Sequence, residues 1–154
     1  MVFRYRFMLI AMSLILMLDR ATKHLVSTRI PFGGSVKVWG EYFQISHIKN
    51  TGIAFGLFRT DLSNIIFSVL TAAAIVYIFY YYRMSGCYGL YKLPFGLLLG
   101  GASGNLYDRL FHGGVIDFLD FGLGAHRFPS FNVADSSIFT GLAILSFIII
   151  KYGD

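Results

Sequence analysis

The segment Gly104-Asn105-Leu106-Tyr107-Asp108-Arg109 decides how this chain is organised, because it brings charged side chains to the end of a long apolar stretch. Two further aspartates, Asp117 and Asp135, follow it closely. Carboxylates set in so apolar a chain are expected to be paired, hydrated or used in a reaction. We therefore interpret the rest of the sequence outward from these aspartates.

Composition predicts a small integral membrane protein with a single domain over residues 1–154. The chain is 56% hydrophobic and 14% charged, with a mean hydropathy of +0.65, which is too apolar for a soluble domain. The net charge of +5 comes from basic residues that occur singly beside apolar segments, so a nucleic-acid partner is not expected. The only cysteine, Cys87, cannot form an internal disulfide and is interpreted as a spectator thiol.

Four apolar segments are long enough to cross roughly 30 Å of hydrocarbon as helices. They comprise residues 7–26, 62–82, 93–110 and 136–152. No small-residue cleavage site follows the first segment, so we expect it to be a retained anchor. The sequence predicts an all-α membrane fold with four transmembrane helices.

Residues 27–61 show alternation and turns instead of helical spacing. Strands are predicted at 35–39 and 42–49, joined by a two-residue turn at Gly40-Glu41. Trp39 and its neighbouring aromatic residues suit the level of the lipid headgroups. We expect a small β-unit on the membrane surface between helices one and two.

Asp19 and Lys23 stand four residues apart in the order that favours an ion pair on a helix. We interpret them as a structural pair that snorkels at the membrane edge. A direct catalytic role for Asp19 is the alternative.

Three glycines recur every four residues in helix three and form a small-residue stripe for close helix contact. They are Gly96, Gly100 and Gly104. Asp108 continues this stripe, so it should face the helix bundle. We interpret Asp108 as a packed polar residue bound to Arg109 or Lys23.

Asp117 lies in an apolar run over 115–121, too short for another span. Asp120 shares its face if the run is helical and opposes it if the run is extended. Asp135 opens helix four, where an N-cap role is expected. The positive end of that helix favours an ionised Asp135, whereas apolar neighbours favour a protonated Asp117.

Such an asymmetric pair suits an aspartic hydrolase, in which one carboxylate takes a proton from water while the other acts on the substrate carbonyl. This chemistry needs neither a metal nor a nucleophile. The four histidines show no metal-ligand spacing, and no serine occupies a nucleophile elbow. These histidines are His24, His47, His112 and His126.

Two other functional classes remain open at this point. A proton-coupled membrane carrier would also need aspartates that face the bundle, but the chain lacks internal repeats and has no proline beyond the first turn of a span. A non-enzymatic membrane scaffold would use the glycine stripe alone.

Five motifs in this order resemble lipoprotein signal peptidase (signal peptidase II, aspartic endopeptidase family A8). They are Asp19-Arg20-Ala21-Thr22-Lys23, Asn50-Thr51-Gly52-Ile53-Ala54-Phe55, Gly104-Asn105-Leu106-Tyr107-Asp108-Arg109, Val115-Ile116-Asp117-Phe118 and Phe131-Asn132-Val133-Ala134-Asp135. The resemblance covers nearly the whole chain.

The resemblance implies that Asp117 and Asp135 are the catalytic pair. It assigns substrate-binding or site-supporting roles to four further residues, Asn50, Asn105, Arg109 and Asn132. Three others match structural polar positions, Asp19, Lys23 and Asp108.

The family's fold is four transmembrane helices with a small extracytoplasmic β-cradle. Its activity is removal of the signal peptide from bacterial prolipoproteins, immediately before a diacylglyceryl-modified cysteine. The implied partners are lipid-modified prolipoproteins, membrane lipids and the cyclic-peptide inhibitor globomycin, with no metal or organic cofactor. The implied location is the cytoplasmic (inner) membrane, with the active site near the outer face.

The chain's orientation follows from its two arginines near the N-terminus, Arg4 and Arg6, which are hard to translocate. Although most other lysines and arginines then lie outside, against the usual bias, several of them stand beside carboxylates and could serve the site. We predict that both termini are cytoplasmic.

Overall fold

The computed structural model describes residues 2–52, 61–84, 89–124 and 126–152. In chain order, the elements of this part are α1 (Val2–Arg29), β1 (Ser35–Trp39), β2 (Phe43–Asn50), α2 (Asp61–Met84), α3 (Lys92–His112), β3 (Val115–Leu123), β4 (His126–Arg127) and α4 (Val133–Tyr152). Each predicted span lies inside one of the four helices. The predicted Ile53-Ala54-Phe55 part of the second motif and Cys87 lie outside the described residues.

Two of the described helices are long and apolar enough to cross a membrane. These stretches are Leu62–Met84 in α2 and Val133–Tyr152 in α4. Helix α1 has 28 residues and α3 has 21, but charged residues in both and the glycines of α3 lower their hydropathy. Length and composition in the described chain thus support two of the four predicted spans.

Helix α3 is the centre of the bundle, because α1, α2 and α4 all pack against it. The predicted close helix contact at the glycine stripe is confirmed, and its partner is α1: a Cβ added to Gly96 would lie 2.7 Å from Ala11 Cβ, and one added to Gly104 would lie 2.6 Å from Asp19 Oδ2. Gly101 faces α4, and a Cβ added there would overlap the carbonyl oxygen of Ala134. Small residues therefore let α3 approach both neighbours closely.

The strands form one antiparallel sheet in the order β1-β2-β3-β4. The two predicted strands are confirmed, and the run at 115–121, whose conformation the sequence left open, is extended as part of β3. The sheet thus combines two strands that precede α2 in the sequence with two that follow α3. The expectation of a β-unit confined to 27–61 is therefore wrong. The β1–β2 turn is also longer than predicted, because Trp39 pairs with Phe43 and leaves three residues between them.

A small apolar core fixes the sheet to the end of α1. Val26 of α1 and Ile30, the residue that follows α1, are buried against Phe118 of β3. Phe118 is the chain neighbour of Asp117, so this contact sets the position of that aspartate relative to the helices.

Candidate active site

Asp117 lies in the middle of the sheet, where β3 pairs with β2 and Asp117 stands opposite Ile48. Its side chain is only 3% exposed. Both carboxylate oxygens accept hydrogen bonds: Asn50 Nδ2 donates to Oδ2 at 3.1 Å, and Asn132 Nδ2 donates to Oδ1 at 2.8 Å. The two asparagines therefore fix the orientation of this carboxylate.

Asp135 is the third residue of α4, and the helix is capped by Asn132 instead of Asp135. The Asn132 N–H donates to Asp135 Oδ2 at 3.1 Å, and the Asp135 N–H donates to Asn132 Oδ1 at 2.9 Å. This reciprocal pair is a capping box. The prediction that Asp135 is the N-cap is wrong, since it serves as the box partner of the residue three positions earlier.

Asn132 contacts both aspartates and so brings them to one site. Its side-chain nitrogen binds Asp117, and its backbone N–H binds Asp135. Asn132 itself is fully buried, whereas Asp135 is half-buried. A buried residue that donates to two carboxylates holds them in a defined relation to each other.

Burial, with a smaller contribution from the negative charge of Asp135, raises the pKa of Asp117 to about 7, against the lowering effect of the hydrogen bonds from Asn50 and Asn132. A substantial fraction of Asp117 therefore carries a proton near neutral pH. This agrees with the predicted protonated Asp117. The ionised state of Asp135 stays a prediction.

A buried ionic cluster of Asp19, Lys23 and Asp108 lies between α1 and α3. Lys23 Nζ is 2.8 Å from Asp19 Oδ2 and 2.7 Å from Asp108 Oδ2, and all three side chains are fully buried. The predicted pairing of Asp19 with Lys23 is confirmed, but the expected snorkelling at the membrane edge is wrong. Lys23 points into the bundle because two carboxylates meet it there.

Asp108 faces the bundle and binds Lys23, as predicted, although the other predicted partner, Arg109, does not pair with it. Arg20 and His112 are its further partners, with His112 Nδ1 at 3.3 Å from Oδ1. Asp108 Oδ2 also accepts the backbone N–H of Ile116 at 3.3 Å. Asp108 thus ties α3 to the start of β3.

The ionic cluster reaches Asp135 through Asn105. Lys23 Nζ donates to Asn105 Oδ1 at 3.1 Å, and Asn105 Nδ2 donates to Asp135 Oδ1 at 2.7 Å. Because an ammonium can only donate, Lys23 binds the oxygen of the Asn105 amide, and Nδ2 of Asn105 therefore points toward Asp135. Asp19 contributes separately, since its Oδ1 accepts the Ala134 N–H at the start of α4 at 3.0 Å.

Arg109 lies near this centre without pairing to a carboxylate in the described part of the chain. Its Nη1 donates to the Asn105 carbonyl at 3.4 Å, and the guanidinium lies 5.9 Å from the centre of the Phe67 ring. It lines the same groove as Asn105 and Asp135. Among the described residues, its other guanidinium donors have no hydrogen-bond acceptor, and the side chain faces the groove.

Asp120 faces away from Asp117, as expected for an extended strand. It accepts hydrogen bonds from Gln44 Nε2 at 2.5 Å, Ser46 Oγ at 2.8 Å and Arg127 Nε at 2.7 Å. Burial acts to raise the pKa of Asp120, but these three hydrogen bonds outweigh it and the pKa lies below its usual value. Sequence reasoning did not find these partners, because they lie on different strands.

Two apolar grooves meet at Asp135. The long groove runs between α2 and α4 over α3, as two adjoining cavities of about 460 Å³ and 410 Å³ that share Ile78, Leu98 and Leu142. It extends from Asp135 to Ile149. The short groove, of about 370 Å³, lies on the other side of Asp135.

The lining of the short groove is aromatic and hydroxylated. It consists of Phe128, Phe131, Asp135, Ser136, Phe139 and Thr140. Across the described ranges, no three histidine, cysteine or acidic side chains form a group that could hold a metal ion.

Comparisons with known proteins agree with this arrangement. The family model described as Signal peptidase (SPase) II matches residues 11–151. A protein named lipoprotein signal peptidase from Francisella tularensis subsp. novicida (strain U112) is 43% identical over 136 residues, which are 86% of this chain and 84% of that protein. A protein of the same name from Nitratidesulfovibrio vulgaris (strain DP4) is 40% identical over 148 residues, covering 94% of this chain and 89% of that protein.

Solved structures show the same fold. One, described as a bacterial membrane enzyme structure by the in meso method at 2.3 Å resolution, superposes with a TM-score of 0.83 and 28% identity. The superposition covers 94% of this chain and 87% of that one.

Proposed function

Because the chain belongs to the signal peptidase II family, we propose that it removes signal peptides from bacterial prolipoproteins, with Asp117 and Asp135 as its catalytic pair. Cleavage falls immediately before the diacylglyceryl-modified cysteine. The observation that carries the site assignment is Asn132, which donates to Asp117 from its side chain and to Asp135 from its backbone. The enzyme is an aspartic endopeptidase.

The reaction uses the two carboxylates in different protonation states. Asp135 takes a proton from a water molecule while the water oxygen bonds to the scissile carbonyl carbon. Asp117 gives its proton to the carbonyl oxygen, and a neutral tetrahedral diol results. Asp135 then returns its proton to the amide nitrogen as the C–N bond breaks, and the re-forming carbonyl gives a proton back to Asp117.

The neighbouring side chains hold this pair and the substrate. Asn50 and Asn132 keep the Asp117 carboxyl in place, and Asn105 does the same for Asp135. Arg109, beside Asp135 in the long groove, binds a backbone carbonyl of the substrate. Asp19, Lys23 and Asp108 support these residues from the buried cluster.

We assign all four helices to the membrane, with both termini in the cytoplasm and the catalytic pair near the outer face of the inner membrane. Exposed aromatic rings on the hairpin support this placement, because Trp39 is 72% exposed and its ring lies 5.8 Å from that of Tyr42. Such rings suit the lipid headgroup level. Membrane lipids and the inhibitor globomycin are the further expected partners.

The long groove is the place for the signal peptide. From Asp135 to Ile149 is 14 residues of helix, or about 21 Å at the rise of an α-helix. An apolar signal helix lying there enters from the bilayer between α2 and α4 and ends beside Asp135.

The test is cleavage of a purified lipid-modified precursor by Asp117→Asn and Asp135→Asn. Each variant should lose activity by a factor of roughly 10⁴ or more while its melting temperature in detergent is retained, and globomycin should inhibit the unchanged enzyme. Asp120→Asn is the matched control, since it removes a carboxylate from the opposite face of the same strand and should still cleave. Turnover retained in both catalytic variants, or lost only in Asp120→Asn, would contradict the assignment.

A further inference from the structure

The geometry points to the short groove as the binding site for an acyl chain of the substrate's diacylglyceryl group. The short groove lies beside Asp135 on the side of α4 turned away from the long groove. This inference rests on the proposed function, because it assigns a second part of the same substrate.

The lining of the short groove suits a hydrocarbon chain. Three phenylalanines form its walls. The two hydroxyls in it are already satisfied within α4, since Ser136 Oγ donates to the Asn132 carbonyl and Thr140 Oγ1 donates to the Ser136 carbonyl, both at 2.8 Å. Satisfied hydroxyls leave their carbon atoms as the accessible surface, so beyond Asp135 the groove offers an apolar ligand site.

The substrate has two apolar parts, one on each side of the scissile bond. The signal helix precedes the bond, and the cysteine with its diacylglyceryl group follows it. Asp135 is shared by both grooves, so a peptide bond held there places one apolar part in each groove.

The lengths of the two grooves indicate which groove holds the signal helix and which holds the acyl chain. Along α4 the short groove extends from Asp135 to Thr140, five residues or about 8 Å of helix. An acyl chain occupies only one leaflet, about half of the roughly 30 Å hydrocarbon thickness, whereas a signal helix needs most of it. The short groove therefore fits the upper part of an acyl chain and is too short for the helix.

The wall of the short groove is joined to the strand that carries Asp117. Phe131 exchanges backbone hydrogen bonds with Leu119, at 2.8 Å and 3.1 Å. Its ring also contacts Phe128 and Phe121, with centroids 6.1 Å and 5.9 Å apart. The height of the groove relative to the catalytic residues is thus set by the fold.

The first test compares two precursors of one peptide sequence, carrying dipalmitoyl or dibutyryl glyceryl groups. Thr140→Trp fills the short groove and should lower kcat/KM for the long-chain precursor by roughly ten-fold more than for the short-chain one. Ile150→Trp adds the same ring outside the groove, at a position that is 84% exposed, and should leave the ratio unchanged. An equal loss on both precursors, or no loss on either, would overturn the proposal.

The second test locates the acyl chain of the bound precursor by photocrosslinking. A precursor with a diazirine at the end of one acyl chain is photolysed with Asp135→Asn, which retains the grooves but not the activity. Adducts at residues 128–131 or 136–140 are expected, and adducts confined to the long groove would overturn the proposal. If the unchanged enzyme cleaves neither precursor, the proposed peptidase function is contradicted. This result differs from cleavage with adducts in the long groove, which would contradict only the acyl-chain site.

Discussion

At the scale of single residues, the Asn132 side chain both caps α4 and binds Asp117, and separate substitutions can distinguish these two functions. Its Oδ1 caps α4 by accepting the Asp135 N–H, and its Nδ2 donates to Asp117. Serine can cap a helix but has no second donor placed to reach Asp117. The two functions of this residue can therefore be measured apart.

We expect Asn132→Ser and Asn132→Ala both to lose most of the activity and some stability, because in each the buried Asp117 carboxyl loses a hydrogen bond. Asn132→Ala should be about 1 kcal/mol less stable than Asn132→Ser, because the cap is lost as well. Melting curves in detergent and precursor cleavage measure the two effects. Equal activity in Asn132→Ser and the unchanged enzyme would contradict the role of the side-chain nitrogen.

The raised pKa of Asp117 predicts how activity and stability depend on pH. Since the mechanism uses Asp117 in its acid form, kcat/KM should fall as the pH rises through about 7. The folded pKa lies above the ordinary value of 3.8, so the protonated group stabilises the fold. That stabilisation is complete below about pH 4 and is lost as the pH rises to about 7.

The measurement is the melting temperature of the unchanged protein minus that of Asp117→Asn, from about pH 4 to about pH 8. This difference should decrease with rising pH. Asp120→Asn is the control: because the pKa of Asp120 lies below its ordinary value of 3.8, its stabilisation is lost only as the pH falls below that value, and the corresponding difference should stay nearly constant over this range. A difference for Asp117→Asn that rises with pH would show that the fold favours its ionised form.

At the scale of elements, α1 and α3 are joined by the buried Lys23 and its carboxylates. Removing one member of a buried ion pair leaves an uncompensated charge, which typically costs about 3–5 kcal/mol. Lys23→Met should therefore lower stability strongly, and it should lower activity because the Asn105 amide loses the cation that orients it.

The double variant Lys23→Met with Asp19→Asn tests whether an uncompensated buried charge causes the loss of stability in Lys23→Met. The introduced asparagine would keep an acceptor for the Ala134 N–H but carry no charge, so the double variant should be more stable than Lys23→Met alone. Activity should stay low in both, since Asn105 Oδ1 loses the Lys23 ammonium in each and keeps only the longer hydrogen bond from Asn132 Nδ2, at 3.3 Å. A double variant that is less stable than Lys23→Met would contradict buried charge as the cause.

The helices and the first two strands could be predicted from the sequence because their signals are local. Apolar runs predict helices, alternation at 35–39 predicts a strand, and glycines every four residues predict that α3 makes a close helix contact, although not with which helix. The capping box could also have been found, since Asn132 and Asp135 have the spacing of one. An N-cap assignment that considers Asp135 without Asn132 overlooks this signal.

The remaining contacts are long-range, and no local pattern carries them. The pairing of β2 with β3 joins segments on either side of two helices. The inward turn of Lys23 depends on Asp108, which lies on a different helix far away in sequence. The conformation at 115–121 was open because a short apolar run suits either a strand or a helix.

At the scale of the whole molecule, the proposed path of the signal helix to Asp117 and Asp135 runs through the space between α2 and α4. Ala74 lines the long groove, whereas Val76 on the same helix is 68% exposed. Ala74→Trp should reduce precursor cleavage by roughly ten-fold or more because its ring occupies the path of the signal helix. Val76→Trp, which adds the same ring toward lipid, should cleave normally, and equal activity in both variants would contradict lateral entry through this groove.

The hydrogen bond from the Ala134 N–H to Asp19 joins residues 115 positions apart, and it has a consequence for biosynthesis. While the ribosome is still adding α4, α1 already carries Asp19, the acceptor for the backbone N–H of Ala134 at the start of α4. We therefore expect the start of α4 to be fixed to α1 only once residues 132–135 have been synthesised. Under the proposed assignment, chains that stop before α4 lack one of the two catalytic carboxylates and cannot cleave a precursor.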